Sequence, residues 1–214
     1  MKSPFKNSFL LIILICLSLF AIYFLTQKDF LSNSVIVSRD TTNAIAEDSL
    51  EDSDTILVVK NCGDSIGSLN GITVYLNSGG IMSCNGERNL NSNGYSYGIK
   101  WQCVEFVRRY YYEHLNHNMP SRNGHASHYF RSAIPSGSMN LERDLLQYHN
   151  GEVRPQKDDI LVWPGTYGHV AIVIDVTETT ISTIAQNVGE NCTEVLSLNE
   201  NTISGGCVGL LRKR

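Results

Sequence analysis

Apolar positions along the chain fall into three regimes. From Phe9 to Leu25 they are continuous apart from Ser18, behind Lys2 and Lys6. Such a run predicts a membrane segment of residues 1–30, read as an uncleaved signal anchor with a cleaved signal as the alternative. Residues 31–54 are polar and acidic (Asp40, Glu47, Asp48, Glu51, Asp52, Asp54) and predict a flexible linker. Residues 55–214 carry patterned apolar positions and predict one domain.

Within that domain the clearest helical period starts at Cys103, where Phe106, Val107 and Tyr110 follow at i+3, i+4 and i+7. The other face, Glu105, Arg108, Arg109 and Glu113, reads as solvated, with Glu105 and Arg109 spaced as a surface ion pair. Short strands are predicted over Thr55–Val59 and Ile72–Leu76, and the Gly- and Asn-rich stretch from Asn61 to Gly98 reads as mostly turns and loops. Short helices are predicted over His125–Ala133 and Leu141–His149, the second capped by Asn140. The second half turns to strand composition: Asp159–Trp163, His169–Val176, Thr180–Ala185 and Val208–Leu211. Helices first and strands afterwards is an α+β order, with N-terminal helices packed on an antiparallel sheet.

Charge adds an exclusion. Seventeen basic against twenty-one acidic residues give a net charge of −4, and no basic run exceeds Arg108-Arg109 or Arg212-Lys213-Arg214. Nucleic acid is not an expected partner. Of the six cysteines, Cys16 lies in the membrane segment and Cys103 opens the helix. Cys62, Cys84, Cys192 and Cys207 lie in loop-like surroundings and are expected as disulfides, paired by proximity as Cys62–Cys84 and Cys192–Cys207. A zinc site is the rival reading, without a C-x-x-C pair to support it. Disulfides agree with an export signal and a domain outside the cytoplasm, either on a single-pass anchor or secreted.

The chemistry centres on Cys103 and His169. A thiol in the first turn of a helix meets the positive end of the helix dipole and amides with no intrahelical partner, both of which favour the thiolate. A small buried hydrophobe is the plainer role for such a cysteine. His169 starts a strand directly after Gly168, where an imidazole can project over a neighbouring helix start. His114, His117, His125, His128 and His149 compete with it, the first two lying more than two turns along the cysteine's own helix.

The runs Lys100-Trp-Gln-Cys-Val-Glu-Phe-Val-Arg-Arg109, Asp159-Ile-Leu-Val-Trp163, Gly168-His-Val-Ala-Ile-Val173 and Gln186-Asn187 occur in that order. Together they resemble the CHAP family of cysteine, histidine-dependent amidohydrolases and peptidases, within the papain-like NlpC group. The wording around Cys103 is closest to the amidase domain of glutathionylspermidine synthetase/amidase. The resemblance implies a papain-like CHAP fold and hydrolysis of an amide through Cys103 as nucleophile and His169 as base. Gln102 and Trp101 would serve the oxyanion or the substrate. The family's usual acid falls on Ala185, so the third polar group would be Asn187, placed by a period of two on the same strand face as residue 185, with Gln186 structural. No cofactor or metal is implied. The expected substrate is a peptide amide, of peptidoglycan type, or a glutathionyl-polyamine amide; a non-catalytic member binding peptide or glycan is the alternative.

Overall fold

The computed structural model describes residues 60–78, 84–120 and 124–214, all within one compact unit of the chain, Ile56–Arg214. The membrane-segment, linker and Thr55–Val59 expectations lie outside the described residues.

The sheet is built from runs whose residues are buried on both faces. Strand β7 (Ile160–Trp163) pairs antiparallel with β8 (His169–Val176), and β8 with β9 (Thr180–Ile184). Successive residues alternate between faces. Accordingly Ile160, Val162, Val170 and Ile172 enter one apolar cluster, whereas Leu161 and Val173 enter another. On the far side of β9 lie β10 (Thr193–Asn199) and β11 (Thr202–Ile203). On the other side of β7 lie β12 (Gly209–Arg212), β6 (Leu145–His149) and β5 (Ser138–Asn140). Eight antiparallel strands result, in the order β11-β10-β9-β8-β7-β12-β6-β5. Ribbons β1 (Ser65–Leu69) with β2 (Ile72–Tyr75), and β3 (Arg88–Leu90) with β4 (Ser96–Ile99), precede the helix.

Helix α1 (Cys103–Glu113) is the single α-helix among the described residues. Its apolar stripe, Cys103, Phe106, Val107 and Tyr110, packs with Val162, Val170 and Ile172 of the sheet. The architecture is therefore α+β with a dominant antiparallel sheet, and of the expected N-terminal helices packed on it the described residues show one.

Two helix expectations are corrected. Over His125–Ala133 only a 3-10 turn forms, Ala126–Tyr129. The Leu141–His149 segment is strand, not helix, over Leu145–His149: Leu145 and Gln147 are buried at a spacing of two and both edges bond, to β5 and β12. Asn140 caps nothing; its buried amide donates to the Tyr129 carbonyl (2.9 Å) and to Gln147 Oε1 (3.1 Å). Long-range pairing overrode a local pattern that was compatible with either state.

The polar face of α1 is corrected as well. Glu105, Arg108 and Arg109 are 0%, 2% and 6% exposed. Ribbons β1–β2 and β3–β4 cover the face that reads as solvated: Asn89 Nδ2 donates to Glu105 Oε1 (2.8 Å), Arg109 Nη2 to the Thr73 carbonyl (2.9 Å), and Arg108 Nε to the Ser96 carbonyl (3.2 Å).

Cys62 and Cys84 form a disulfide. The expected Cys192–Cys207 bridge does not form, since both are free and buried in clusters on different faces of the sheet. Each thiol finds a carbonyl instead, Cys192 that of Ile66 (3.5 Å) and Cys207 that of Gly209 (3.3 Å).

Candidate active site

Gln102 sits at the extended position ahead of α1, and its carbonyl accepts the first helical bond from Phe106 N–H (3.2 Å). Cys103 follows in the first turn, and the start of β8 runs alongside it. The backbone N–H groups of Val170, Val104 and Cys103 itself are directed at the sulfur and favour the thiolate, but burial outweighs them and pushes the thiol above its ordinary range. The helix-start argument thus has the right sign and the smaller magnitude. Burial also holds the His169 imidazole down, to about 4. The resting pair is therefore a neutral thiol and a neutral imidazole.

His169 is placed by strand pairing, opposite Trp163, whose ring lies 5.8 Å away. The preceding Gly168 is held at a φ of +68° against the 3-10 turn, where an added Cβ would meet Ser127 N at 2.5 Å. Glycine is required there by both conformation and space. The same turn is tied down by Ser127 N–H donating to the Tyr167 carbonyl (2.9 Å).

Cys103, His169, Gln102 and Asn187 line one cavity of about 590 Å3. The thiol and imidazole make no hydrogen bond to each other, a common looseness in a site without substrate. Asn187 is not a strand residue, because β9 ends at Ile184 and Asn187 turns into the left-handed region at φ +64°. It shares the lining of the cavity with His169. Its Nδ2 donates to Gln102 Oε1 (2.9 Å). Ala185 is buried, its N–H bonded to the Cys192 carbonyl (2.9 Å), and it does not line the cavity.

Trp101 does not reach the cavity lining. Its ring lies tilted against Tyr75 (4.0 Å between centroids) with the Arg109 guanidinium 5.9 Å away, which makes it a packing residue outside the cavity lining. Gln186 is fully buried: Nε2 donates to Glu105 Oε2 (2.6 Å) and to the Gln102 carbonyl (3.2 Å), while Oε1 accepts Tyr75 N–H (2.9 Å). Glu105 and Arg109 close the network as a buried ion pair at 2.6 Å. The polar residues of the cysteine motif thereby hold the helix start against the loop bearing Asn187.

Arg88, His125, His128 and Tyr167 complete the polar lining and were not singled out from the sequence as site residues. The spacing His125-Ala-Ser-His128 was a visible signal, whereas Arg88 sits in a Gly- and Asn-rich stretch that carries none. Among the described residues no group of His, Cys, Asp or Glu is arranged to hold a metal ion.

Comparison with known proteins gives two matches. Trypanothione synthetase of Crithidia fasciculata is 31% identical over 108 residues, which is 48% of this chain but only 16% of that protein. Residues 92–187 match the CHAP domain, a family whose members are typically cysteine amidases or peptidases. That span runs from the β3–β4 ribbon through Cys103 and His169 to Asn187, and every lining residue of the cavity except Arg88 falls within the part of this chain that matches the CHAP domain.

Proposed function

We propose that the protein is a thiol amidohydrolase in which Cys103 and His169 cleave an amide bond. The observation that carries this reading is the meeting of a helix-start cysteine and a strand-start histidine on one cavity, with the Val170 amide directed at the sulfur. As Sγ attacks the carbonyl carbon, its proton passes to the imidazole, so that charge develops only on the reaction path. The oxyanion is received by the Cys103 N–H and the side-chain amide of Gln102. The bond from Asn187 fixes Oε1 as the acceptor end of that amide, which makes Nε2 the donor end. The C–N bond breaks, the amine leaves with the proton held by His169, and water hydrolyses the thioester. Asn187 Oδ1, with no partner among the described residues, is assigned to orient the imidazole.

The substrate is a peptide amide of peptidoglycan type or a glutathionyl-polyamine amide. The similarity to trypanothione synthetase supports the second and the export-type segment Phe9–Leu25 the first. In this reading that segment anchors the domain outside the cytoplasm, in keeping with the Cys62–Cys84 disulfide. A second reading, a non-catalytic module binding peptide or glycan, is favoured by Ala185 in place of the family's acid. The deciding experiment incubates the protein with peptidoglycan and with glutathionylspermidine. Release of new amines by the parent and not by Cys103→Ser supports the enzyme; binding of either without hydrolysis refutes it in favour of the second reading.

A further inference from the structure

The cavity is one-sided in charge. Its described lining holds one arginine, Arg88, with the imidazoles of His125, His128 and His169, but no Asp or Glu, on a chain whose net charge is −4. The acids nearest in sequence are engaged elsewhere, Glu87 with Lys100 (3.0 Å) and Glu105 with Arg109 (2.6 Å). Arg88 is exposed and extends from β3 opposite Ile99 of β4, itself a lining residue a few positions before Cys103. One arm of its guanidinium is held, Nη1 donating to Ser96 Oγ (3.0 Å), and among the described residues it pairs with no carboxylate. A guanidinium fixed at one nitrogen presents its remaining donors as a fork suited to a carboxylate.

The second wall comes from different elements. His125 precedes the 3-10 turn and His128 lies within it, their rings 5.5 Å apart, and His125 meets Tyr167 edge to face at 4.8 Å. The turn is pinned to the loop before His169, so these rings are held rather than loose. Imidazoles can donate to an anion, whereas nothing in the described lining neutralises an ammonium group.

We propose that Arg88, with the His125–His128 pair as its polar counterpart, forms a carboxylate-binding subsite beside Cys103, so that the substrate is a peptide bearing a free carboxylate near its scissile amide. This rests on Cys103 being the nucleophile of the proposed amidohydrolase. It locates recognition in the acyl peptide rather than in a polyamine, for which a cavity without acids offers no counter-charge. A stem peptide of peptidoglycan and a glutathione conjugate both carry such a carboxylate.

The test is independent of turnover. Cys103 of the full-length protein is alkylated in parallel with iodoacetate and iodoacetamide and followed by peptide mass. The anionic reagent gains from the subsite, and Arg88→Gln should lower the iodoacetate-to-iodoacetamide rate ratio about fivefold, the worth of one close unit charge in a solvated cleft. Arg88→Lys should keep most of the ratio, and salt should erode it in the parent. S-methylglutathione and a stem peptide ending in free carboxylates are then compared as protectants. Protection by either one, weakened by Arg88→Gln, supports the subsite and identifies the source of the carboxylate. An unchanged ratio in a folded Arg88→Gln protein, or protection by spermidine and not by the acids, overturns it. Failure to hydrolyse any amide with the ratio shift intact refutes the enzyme reading and leaves the subsite standing.

Discussion

Replacing Glu105 tests whether the buried network, rather than the helix alone, holds the site. Its carboxylate accepts from Arg109 Nε (2.6 Å) and Nη2 (3.4 Å), from Asn89 Nδ2 (2.8 Å) and from Gln186 Nε2 (2.6 Å), all out of solvent. As an exposed i,i+4 pair it would contribute about 0.3–0.5 kcal/mol. Buried, its loss strands a guanidinium and two amide donors, and removing one partner of such a pair costs about 3–5 kcal/mol. Arg109 keeps the Thr73 carbonyl and a position over the Tyr75 ring (5.2 Å), which places Glu105→Gln near the lower end, at about 3 kcal/mol. Urea unfolding followed by tryptophan fluorescence is suited to it, because Trp101 stacks beside Arg109. In the double variant Glu105→Leu with Arg109→Met, most of the loss should return, since no charge is left stranded. A Glu105→Gln protein destabilised by less than about 1 kcal/mol would refute the buried-network account and restore the surface-pair magnitude.

Three further outcomes follow from the site and the cysteines. Because burial raises the Cys103 thiol, its reaction with iodoacetamide should climb only at a pH above that of an ordinary free thiol; rapid alkylation near neutrality would mean the helix start outweighs burial. With a folded-state pKa of about 4 against 6.5, His169 stays neutral while the unfolded chain takes up a proton. Its contribution to stability is complete above about pH 6.5 and lost as pH falls towards 4, by roughly 2–3 kcal/mol, and His169→Ala should flatten that part of a stability-against-pH curve. Opening the Cys62–Cys84 bridge, with its sequence separation of 22, by Cys62→Ser should cost about 3 kcal/mol in urea unfolding, while mass spectrometry should find Cys192 and Cys207 as thiols that label only after denaturation.

Legibility from sequence followed the kind of signal. The apolar stripe from Cys103 predicted the start of α1, and the runs at Asp159–Trp163 and His169–Val176 predicted β7 and β8 to within a residue, because burial imposes a period that few other arrangements produce; His117, read onto the same helix, lies beyond its end at Glu113. Cys103, His169, Gln102 and Asn187 were legible through the order of their motifs, and the structure brings them to one cavity. Strand Leu145–His149 was misread because Leu145, Leu146 and Tyr148 suit a helix locally, and pairing to β5 and β12 is invisible at that range. Burial of Glu105 and Arg109 was hidden for a related reason. A charged helical face reads as solvated unless the covering element is known, and here the cover is two ribbons folded from a stretch that reads as loops. Proximity in sequence likewise paired Cys192 with Cys207, which are buried in two different apolar clusters.

In the proposed amidohydrolase, Ala185 at the position where the resemblance implies an acid has a physical context in the same structure. A carboxylate beside a catalytic imidazole holds its tautomer and stabilises the imidazolium that forms as the proton is taken up. Here burial favours the protonated thiol and the neutral imidazole, so an imidazolium forms only on the reaction path, and without a carboxylate to stabilise it. What the site still requires is a fixed ring and a fixed oxyanion donor, both of which are within the reach of an amide. Asn187 already holds Gln102 through Nδ2, and it lines the same cavity as His169. The fixed charge in this region lies one layer deeper, in the Glu105–Arg109 pair, where Gln186 ties it to the Gln102 carbonyl. There a carboxylate contributes rigidity without changing the protonation of the reacting groups. In that proposed reading Gln186 and Asn187 carry position, and Ala185 stands where a charge would.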